Sequence, residues 1–118
     1  MTGQDSLDEL RDALRAFAAE RDWERFHTPK NLAMALSGEA GEVIEHFQWL
    51  SGEDSVALPE QTRGEVALEL ADVLLYLVRL ADVLGVDLAD AARTKMRINA
   101  DRYPVDKARG RSEKYDRL

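Results

Sequence analysis

Two pairs of carboxylates are the residues of this chain best suited to chemistry. Glu39 and Glu42 lie in the segment GEAGEVIEHFQWL, and Glu69 and Asp72 lie in ELADVLLYL. Residues three apart on an α-helix project from neighbouring turns of the same face. Each pair therefore presents two carboxylates together if its segment is helical. The sequence between Glu42 and Glu69 is long enough to end one helix, form a loop and start the next.

In an antiparallel helix pair the two acidic turns can face each other. Four converging carboxylates repel one another and lose hydration, so they need neutralising cations or exposure to water. Mg²⁺ is the natural ion, because it takes oxygen ligands and leaves positions for phosphates and water, and Mn²⁺ is expected to substitute. We predict that Glu39, Glu42, Glu69 and Asp72 hold a divalent metal. The alternative is a solvated acidic face, which is common on surface helices.

Aromatic residues accompany the acids. Tyr76 follows Asp72 by four residues and shares its helix face, while Trp23, Phe26 and His27 lie in a predicted loop. Exposed loop aromatics can stack on a nucleobase, and His27 can hydrogen-bond a base edge. The alternative is that the aromatics cover the core and His27 satisfies a backbone group.

Four amphipathic helices must position these residues. The predicted boundaries are Ser6 with Glu9 for the first helix, Thr28-Pro29 to Leu50 for the second, Pro59 to Gly85 for the third and Asp87 to Tyr103-Pro104 for the fourth. Short connections between amphipathic helices predict an all-α, antiparallel four-helix bundle. The acids that lack a paired context are interpreted as solvated: Glu45, Glu65, Asp82 and Asp90.

Composition excludes several classes of protein. At 118 residues the chain forms one domain, with residues 1–104 as the helical part and 105–118 as a basic extension of the same domain. A net charge of −7 argues against a nucleic-acid-coating surface. Neither a signal peptide nor a membrane span is recognisable, so we expect a cytoplasmic protein. The chain has no cysteine, which excludes disulfides and thiolate chemistry.

The order of the motifs resembles a known family. The segments FAAERDWERFHTPKNLAMAL, GEAGEVIEHFQW, ELADVLLYLVRLAD, KMRINADRYP and KYDRL are similar to the MazG-like all-α nucleotide pyrophosphohydrolases, in particular the dCTP pyrophosphatase branch. The resemblance runs from Leu7 to Leu118 and is weakest over residues 51–63. It implies a homotetramer, a dimer of dimers, that hydrolyses dCTP or modified dCTP to dCMP and pyrophosphate with Mg²⁺ and so cleans the nucleotide pool.

The resemblance also implies residue roles. It places metal ions on the four acids, the nucleoside among Trp23, His27, Trp49 and Tyr76, and the phosphates near Lys95 and Asn99. Two positions depart from the family pattern. Gly38 stands where many members have a further acid, and Leu14 stands where some relatives have a histidine near the nucleoside. The second departure leaves the base preference open.

The expected mechanism is attack of a metal-activated water on the α-phosphorus, with pyrophosphate as the leaving group. Glu42 and Glu45 are both candidates for accepting the proton of the water. The alternatives are a dUTPase-like or broad-specificity dNTP pyrophosphatase, or a helical interaction module without activity. A di-iron bundle needs Glu-x-x-His on two helices, and the chain offers that spacing only at Glu24–His27.

Overall fold

Helices account for the regular structure of this chain. The computed structural model describes residues 6–118. Its elements, in chain order, are α1 (Ser6–Glu20), a 3₁₀ turn (Glu24–Phe26), α2 (Pro29–Glu45), the single-turn α3 (Gly52–Ser55), α4 (Glu60–Val83), α5 (Leu88–Arg102), the single-turn α6 (Val105–Ala108) and a second 3₁₀ turn (Tyr115–Arg117). No strand occurs within residues 6–118, so the all-α prediction is confirmed.

Helix caps explain several of the boundaries. The Thr28 hydroxyl accepts a hydrogen bond from the Asn31 amide at 3.2 Å, with Pro29 as the first residue of α2. At the start of α5, the Asp87 carboxylate accepts from the Asp90 amide at 3.0 Å. Gly85 follows the end of α4 with φ +70°, the left-handed conformation that glycine adopts without strain. These are the boundaries that the sequence predicted.

Two helix boundaries differ from the prediction. Helix α2 ends at Glu45 rather than at Leu50, because hydrogen bonds to the third preceding residue take over. The Phe47 amide bonds to the Ile44 carbonyl, and the Leu50 amide bonds to the Phe47 carbonyl, both at 2.9 Å. The sequence predicts Ser6 as the residue that caps α1, but Ser6 is already the first residue of the helix. The residue that precedes α1 lies outside the described part of the chain.

The chain divides into two compact units, of which the first ends at Val86. In this unit α2 packs along α4, and α1 packs against α4. Among the described residues, the buried apolar side chains are Ala18, Leu32, Val66, Val78 and Ala81. Helix α4 is therefore the element against which α1 and α2 place their side chains.

The second unit runs from Asp87 to Leu118. Tyr115 packs edge-on against Tyr103 with 6.2 Å between ring centroids, and the Arg102 guanidinium lies 4.6 Å from the centre of the Tyr115 ring. These contacts fold the tail onto the end of α5. The predicted boundary between residues 104 and 105 lies inside this unit. Within residues 6–118, none of the helices has the length and apolar character needed to cross a bilayer.

Candidate active site

The predicted acids come together where α2 packs on α4. Glu39 of α2 and Glu69 and Asp72 of α4 each place one carboxylate oxygen within 4.8 Å of the others. Glu69 and Asp72 meet because three residues on a helix span about one turn. Glu39 joins them through the packing of the two helices. We call these residues, together with Glu42, the acidic cluster.

Glu42 completes the acidic cluster although its own side chain is exposed. A side-chain hydrogen bond with Glu42 is the largest cause that raises the pKa of Glu39 above its ordinary value of 4.5, followed by burial and by repulsion from neighbouring carboxylates. The same hydrogen bond is the largest cause that raises the pKa of Glu69. A hydrogen bond between two carboxyl groups requires a proton, so the metal-free cluster retains protons more strongly than isolated acids do.

Two oxygens of the acidic cluster lack partners. Glu39 Oε2 and Glu69 Oε2 are buried and have no hydrogen-bond partner within residues 6–118. Burying an unpaired carboxylate oxygen is costly, and a bound cation removes that cost. The three converging ligands are all carboxylate oxygens, the donors that hard divalent cations such as Mg²⁺ prefer. The cluster therefore fits a hard divalent cation.

A cavity of about 320 Å³ adjoins the acidic cluster and shares Asp72 with it. Its lining comprises Leu14, Phe17, Trp23, His27, Asp72, Leu75, Tyr76 and Arg79. A second cavity of about 300 Å³ shares Trp23, His27 and Tyr76 and adds Phe26. Both volumes lie at the lower end of the range for small-molecule sites, about 300–1,000 Å³. We call the first cavity the aromatic cavity.

The loop between α1 and α2 presents aromatic rings to the aromatic cavity. Asp22 has φ 54°, and the 3₁₀ turn that follows is flanked by Trp23 and His27. Trp23 lies edge-on to Phe17 at 5.8 Å and to His27 at 6.3 Å between ring centroids. Trp23 is 44% exposed, so a large part of its ring surface is not covered by the core.

Arg79 is a cavity residue that the sequence pattern did not single out. It is only 9% exposed, and its Nε donates to His27 Nδ1 at 3.0 Å. Its position could have indicated this role, because Arg79 follows Tyr76 by three residues and therefore shares its helix face.

Asp82 corrects one prediction from the sequence. It was expected to be solvated, yet its side chain is only 11% exposed. It accepts two hydrogen bonds from Arg15, at 2.7 and 2.6 Å, and lies 3.4 Å from Arg79 Nη1. The interpretation was wrong because the partner on α1 is 67 residues distant in sequence.

Three predicted site residues lie elsewhere on the chain. Trp49 lies in the turn after α2 and is 87% exposed. Lys95 and Asn99 lie one turn apart on α5, in the second unit, and both are exposed. Their roles at a nucleotide site stay predictions.

Known proteins resemble this chain over most of its length. Residues 34–118 match the MazG-like family. The chain is 48% identical to mouse (Mus musculus) dCTP pyrophosphatase 1 over 115 residues, which cover 96% of this chain and 68% of that protein. The human (Homo sapiens) protein of the same name gives the same identity and coverage. A solved pyrophosphatase structure from Archaeoglobus fulgidus is 41% identical with a TM-score of 0.81, covering 88% of this chain and 97% of that one.

Proposed function

The chain belongs to the MazG-like family, and we propose that it hydrolyses dCTP to dCMP and pyrophosphate with Mg²⁺ held by the acidic cluster. It is a nucleotide pyrophosphohydrolase, a hydrolase of nucleoside triphosphates. One observation carries the proposal: buried, unpartnered oxygens of Glu39 and Glu69 lie beside a cavity with an aromatic lining. In a helical module that binds no ligand, the cost of burying these oxygens would not be offset.

Three residues of the acidic cluster supply the proposed metal ligands. Glu39, Glu69 and Asp72 already converge, and Glu42 lies within hydrogen-bond reach of the two glutamates. When bound, Mg²⁺ neutralises the carboxylates and the triphosphate and lowers the pKa of a water, and Mn²⁺ can replace it. Glu42 is exposed and lies outside the converging trio. We therefore assign to its carboxylate the role of accepting the proton from the attacking water.

The aromatic cavity is the proposed nucleoside site. Trp23 and Tyr76 offer ring faces for a base, His27 offers a polar ring edge, and Phe26 extends the apolar wall. Since Asp72 belongs to both the cavity and the acidic cluster, a nucleoside bound here places its 5′-phosphates toward the acids. Lys95 and Asn99 are the proposed phosphate ligands, because an ammonium group and an amide complement phosphate charge.

We also propose that the subunit is an antiparallel four-helix bundle that assembles as a homotetramer, a dimer of dimers. Large apolar side chains are exposed on both α2 and α4: Met34 is 64% exposed, Ile44 58% and Leu68 71%. Exposed large apolar side chains are enriched at interfaces between copies, which supports an assembly through these helices. Trp49 would be covered in the same assembly and contribute to a nucleoside site. A cytoplasmic location belongs to the same proposal.

A second candidate function is a dUTPase-like or broad dNTP pyrophosphatase. Leu14 supports it, because it lines the aromatic cavity with an apolar side chain where some relatives have a histidine. An apolar wall rejects related bases less strongly than a hydrogen-bonding group does. The two candidates share one chemistry and differ in the base accepted.

The test uses the purified protein with Mg²⁺ and a panel of dCTP, 5-methyl-dCTP, dUTP, dTTP and dATP. We expect dCMP and pyrophosphate from dCTP, and no turnover in EDTA. Glu69→Gln should abolish turnover, whereas Glu65→Gln, an exposed acid on the same helix, should not. Release of orthophosphate with dCDP, or undiminished hydrolysis in EDTA, would contradict the proposal.

A further inference from the structure

A buried arginine stands at the wall of the aromatic cavity. Arg79 lines this cavity together with His27, Asp72 and Tyr76, which are the other polar residues of its lining. Long cationic side chains are seldom buried without a specific partner. Arg79 is 9% exposed, and its guanidinium contacts His27 of the cavity wall and Asp82 of its own helix.

The orientation of Arg79 is set by a chain of ionic contacts. Arg15 donates two hydrogen bonds, of 2.7 and 2.6 Å, to the Asp82 carboxylate. Asp82 in turn lies 3.4 Å from Arg79 Nη1, one helical turn away on α4. The guanidinium is planar, so the contact at Nη1 restricts the directions that the Nε–H bond can take. That bond points at His27 Nδ1 over 3.0 Å.

This contact determines where His27 carries its proton. An arginine only donates hydrogen bonds, so Nδ1 of His27 must present its lone pair to Arg79. The proton of the neutral ring then resides on Nε2. Burial and the positive charge of Arg79 both lower the pKa of His27, which favours the neutral ring. His27, which lines the cavity, thus carries an N–H donor at Nε2.

We propose that Arg79 is a positioning residue that locks His27 in the Nε2–H tautomer, so that the aromatic cavity selects a base with an acceptor opposite that nitrogen. This rests on the proposed function, which places the nucleobase in the cavity. Cytosine offers an acceptor at N3, whereas uracil and thymine carry N3–H there. A His27 that faces this position with Nε2–H can donate a hydrogen bond to N3 of cytosine. With uracil, the two N–H groups would meet without an acceptor between them. Leu14, which also lines the cavity, has no polar group and takes no part in this discrimination.

The tautomer can be measured directly in the nucleotide-free protein. Long-range ¹H–¹⁵N correlation spectra distinguish Nε2–H, Nδ1–H and doubly protonated rings, and His46 serves as the internal reference. Wild-type protein should show His27 as Nε2–H. Arg79→Met keeps the apolar stem but removes the donors, and it should give mixed tautomers. Arg79→Lys retains a donor and a charge, and it should restore part of the Nε2–H population.

Kinetics supply the second measurement. Arg79→Met should lower kcat/KM for dCTP by about 10-fold, mainly through KM, and lower the preference for dCTP over dUTP. Arg63→Met is the matched control, since Arg63 is a 75% exposed arginine of the same helix that pairs with Glu60. Arg63→Met should change neither the tautomer of His27 nor the ratio of dCTP to dUTP turnover.

Two results would overturn the proposal. One is a wild-type His27 that is protonated on Nδ1. The other is an Arg79→Met protein in which His27 stays Nε2–H and the ratio of dCTP to dUTP turnover is unchanged, even if its melting temperature falls. The spectra need neither metal nor nucleotide. Failure of wild-type protein to hydrolyse any nucleotide would therefore count against the proposed function, while the spectra would still test the tautomer.

Discussion

Glu39 and Glu69, on two helices that pack together, each bury one carboxylate oxygen without a hydrogen-bond partner among the described residues. Both acids also have raised pKa values, for which the contact with Glu42 is the largest cause. Like charges brought together in this way destabilise the metal-free fold. Such local cost is typical of sites that bind a ligand, because the ligand removes it.

Magnesium should stabilise the fold through the acidic cluster. Mg²⁺ binding to the native state stabilises it by an amount that grows with the logarithm of the Mg²⁺ concentration above the Kd, so the melting temperature rises as Mg²⁺ is added. Glu39→Gln should melt at a higher temperature than wild type in EDTA, because one repulsive charge is lost, and should respond less to Mg²⁺. Its activity should fall by more than about 100-fold, since even outer partners of metal ligands contribute about 10–100-fold. Differential scanning fluorimetry and pyrophosphate release measure these effects.

Glu65→Gln is the control for this comparison, because Glu65 is an exposed glutamate of α4 outside the acidic cluster. It should keep the wild-type response to Mg²⁺ and the wild-type activity. Equal Mg²⁺ shifts in wild type and Glu39→Gln would contradict the assignment of Glu39 as a ligand.

The raised pKa values predict the pH dependence of metal-free stability. The pKa values of Glu39 and Glu69 lie above 4.5 in the native state. Between pH 4.5 and these native pKa values, the native protein therefore holds protons that the unfolded chain has released. Their contribution is therefore most favourable below pH 4.5 and is lost as the pH rises through the native pKa values. The pKa of His27 is lowered, so its contribution to stability decreases as the pH falls below the ordinary value of 6.5. The glutamate contribution is thus isolated by comparing wild type with Glu69→Gln.

Urea unfolding in EDTA between pH 4.5 and 8 measures this contribution. The stability of Glu69→Gln relative to wild type should increase with pH across the range. A relative stability that is constant or decreases with pH would contradict the arrangement of the acids.

Asp82 should contribute stability that is lost in acid. Hydrogen bonds from Arg15, and then the nearby positive charges, hold its pKa below the ordinary value of 3.8. The contribution is therefore present above pH 3.8 and is lost as the pH falls through the native pKa. Asp82→Asn should unfold at lower urea concentration than wild type at pH 7, and the difference should shrink toward pH 3. Asp101→Asn, at an exposed aspartate on α5, should match wild type at both pH values.

Exposed apolar residues of α4 should hold the assembly together. Leu68 is 71% exposed in the single chain, so Leu68→Glu should leave the helical content unchanged while placing charges in the proposed interface. We expect light scattering after size exclusion to show a tetramer for wild type and smaller species for Leu68→Glu. Gln61→Glu adds the same charge at an exposed polar position of α4 and should remain tetrameric. A monomeric wild type would contradict the proposed assembly.

Local sequence signals determined much of the fold and the acidic cluster. Thr28-Pro29, Asp87 and Gly85 are predictable because caps and positive-φ glycines act through neighbouring residues. The convergence of Glu69 and Asp72 follows from helix periodicity alone. The end of α2 was not predictable, because the apolar pattern continues to Leu50 while the backbone tightens after Glu45.

The buried network around the aromatic cavity depends on contacts between distant segments. Arg79 stands in an apolar helix and looks like a single surface charge in sequence. Its burial depends on His27, 52 residues away, and on Asp82, which Arg15 holds from 67 residues away. Periodicity reveals which residues share a helix face, but not which loop or helix packs upon that face.

Anomalous scattering from crystals grown with Mn²⁺ and a non-hydrolysable dCTP analogue tests the metal site most directly. We expect an anomalous peak in contact with carboxylate oxygens of Glu39, Glu69 and Asp72, with the base of the analogue in the aromatic cavity. Crystals that bind the analogue with these carboxylates turned into solvent, and with Mn²⁺ absent from them, would contradict the proposed metal site.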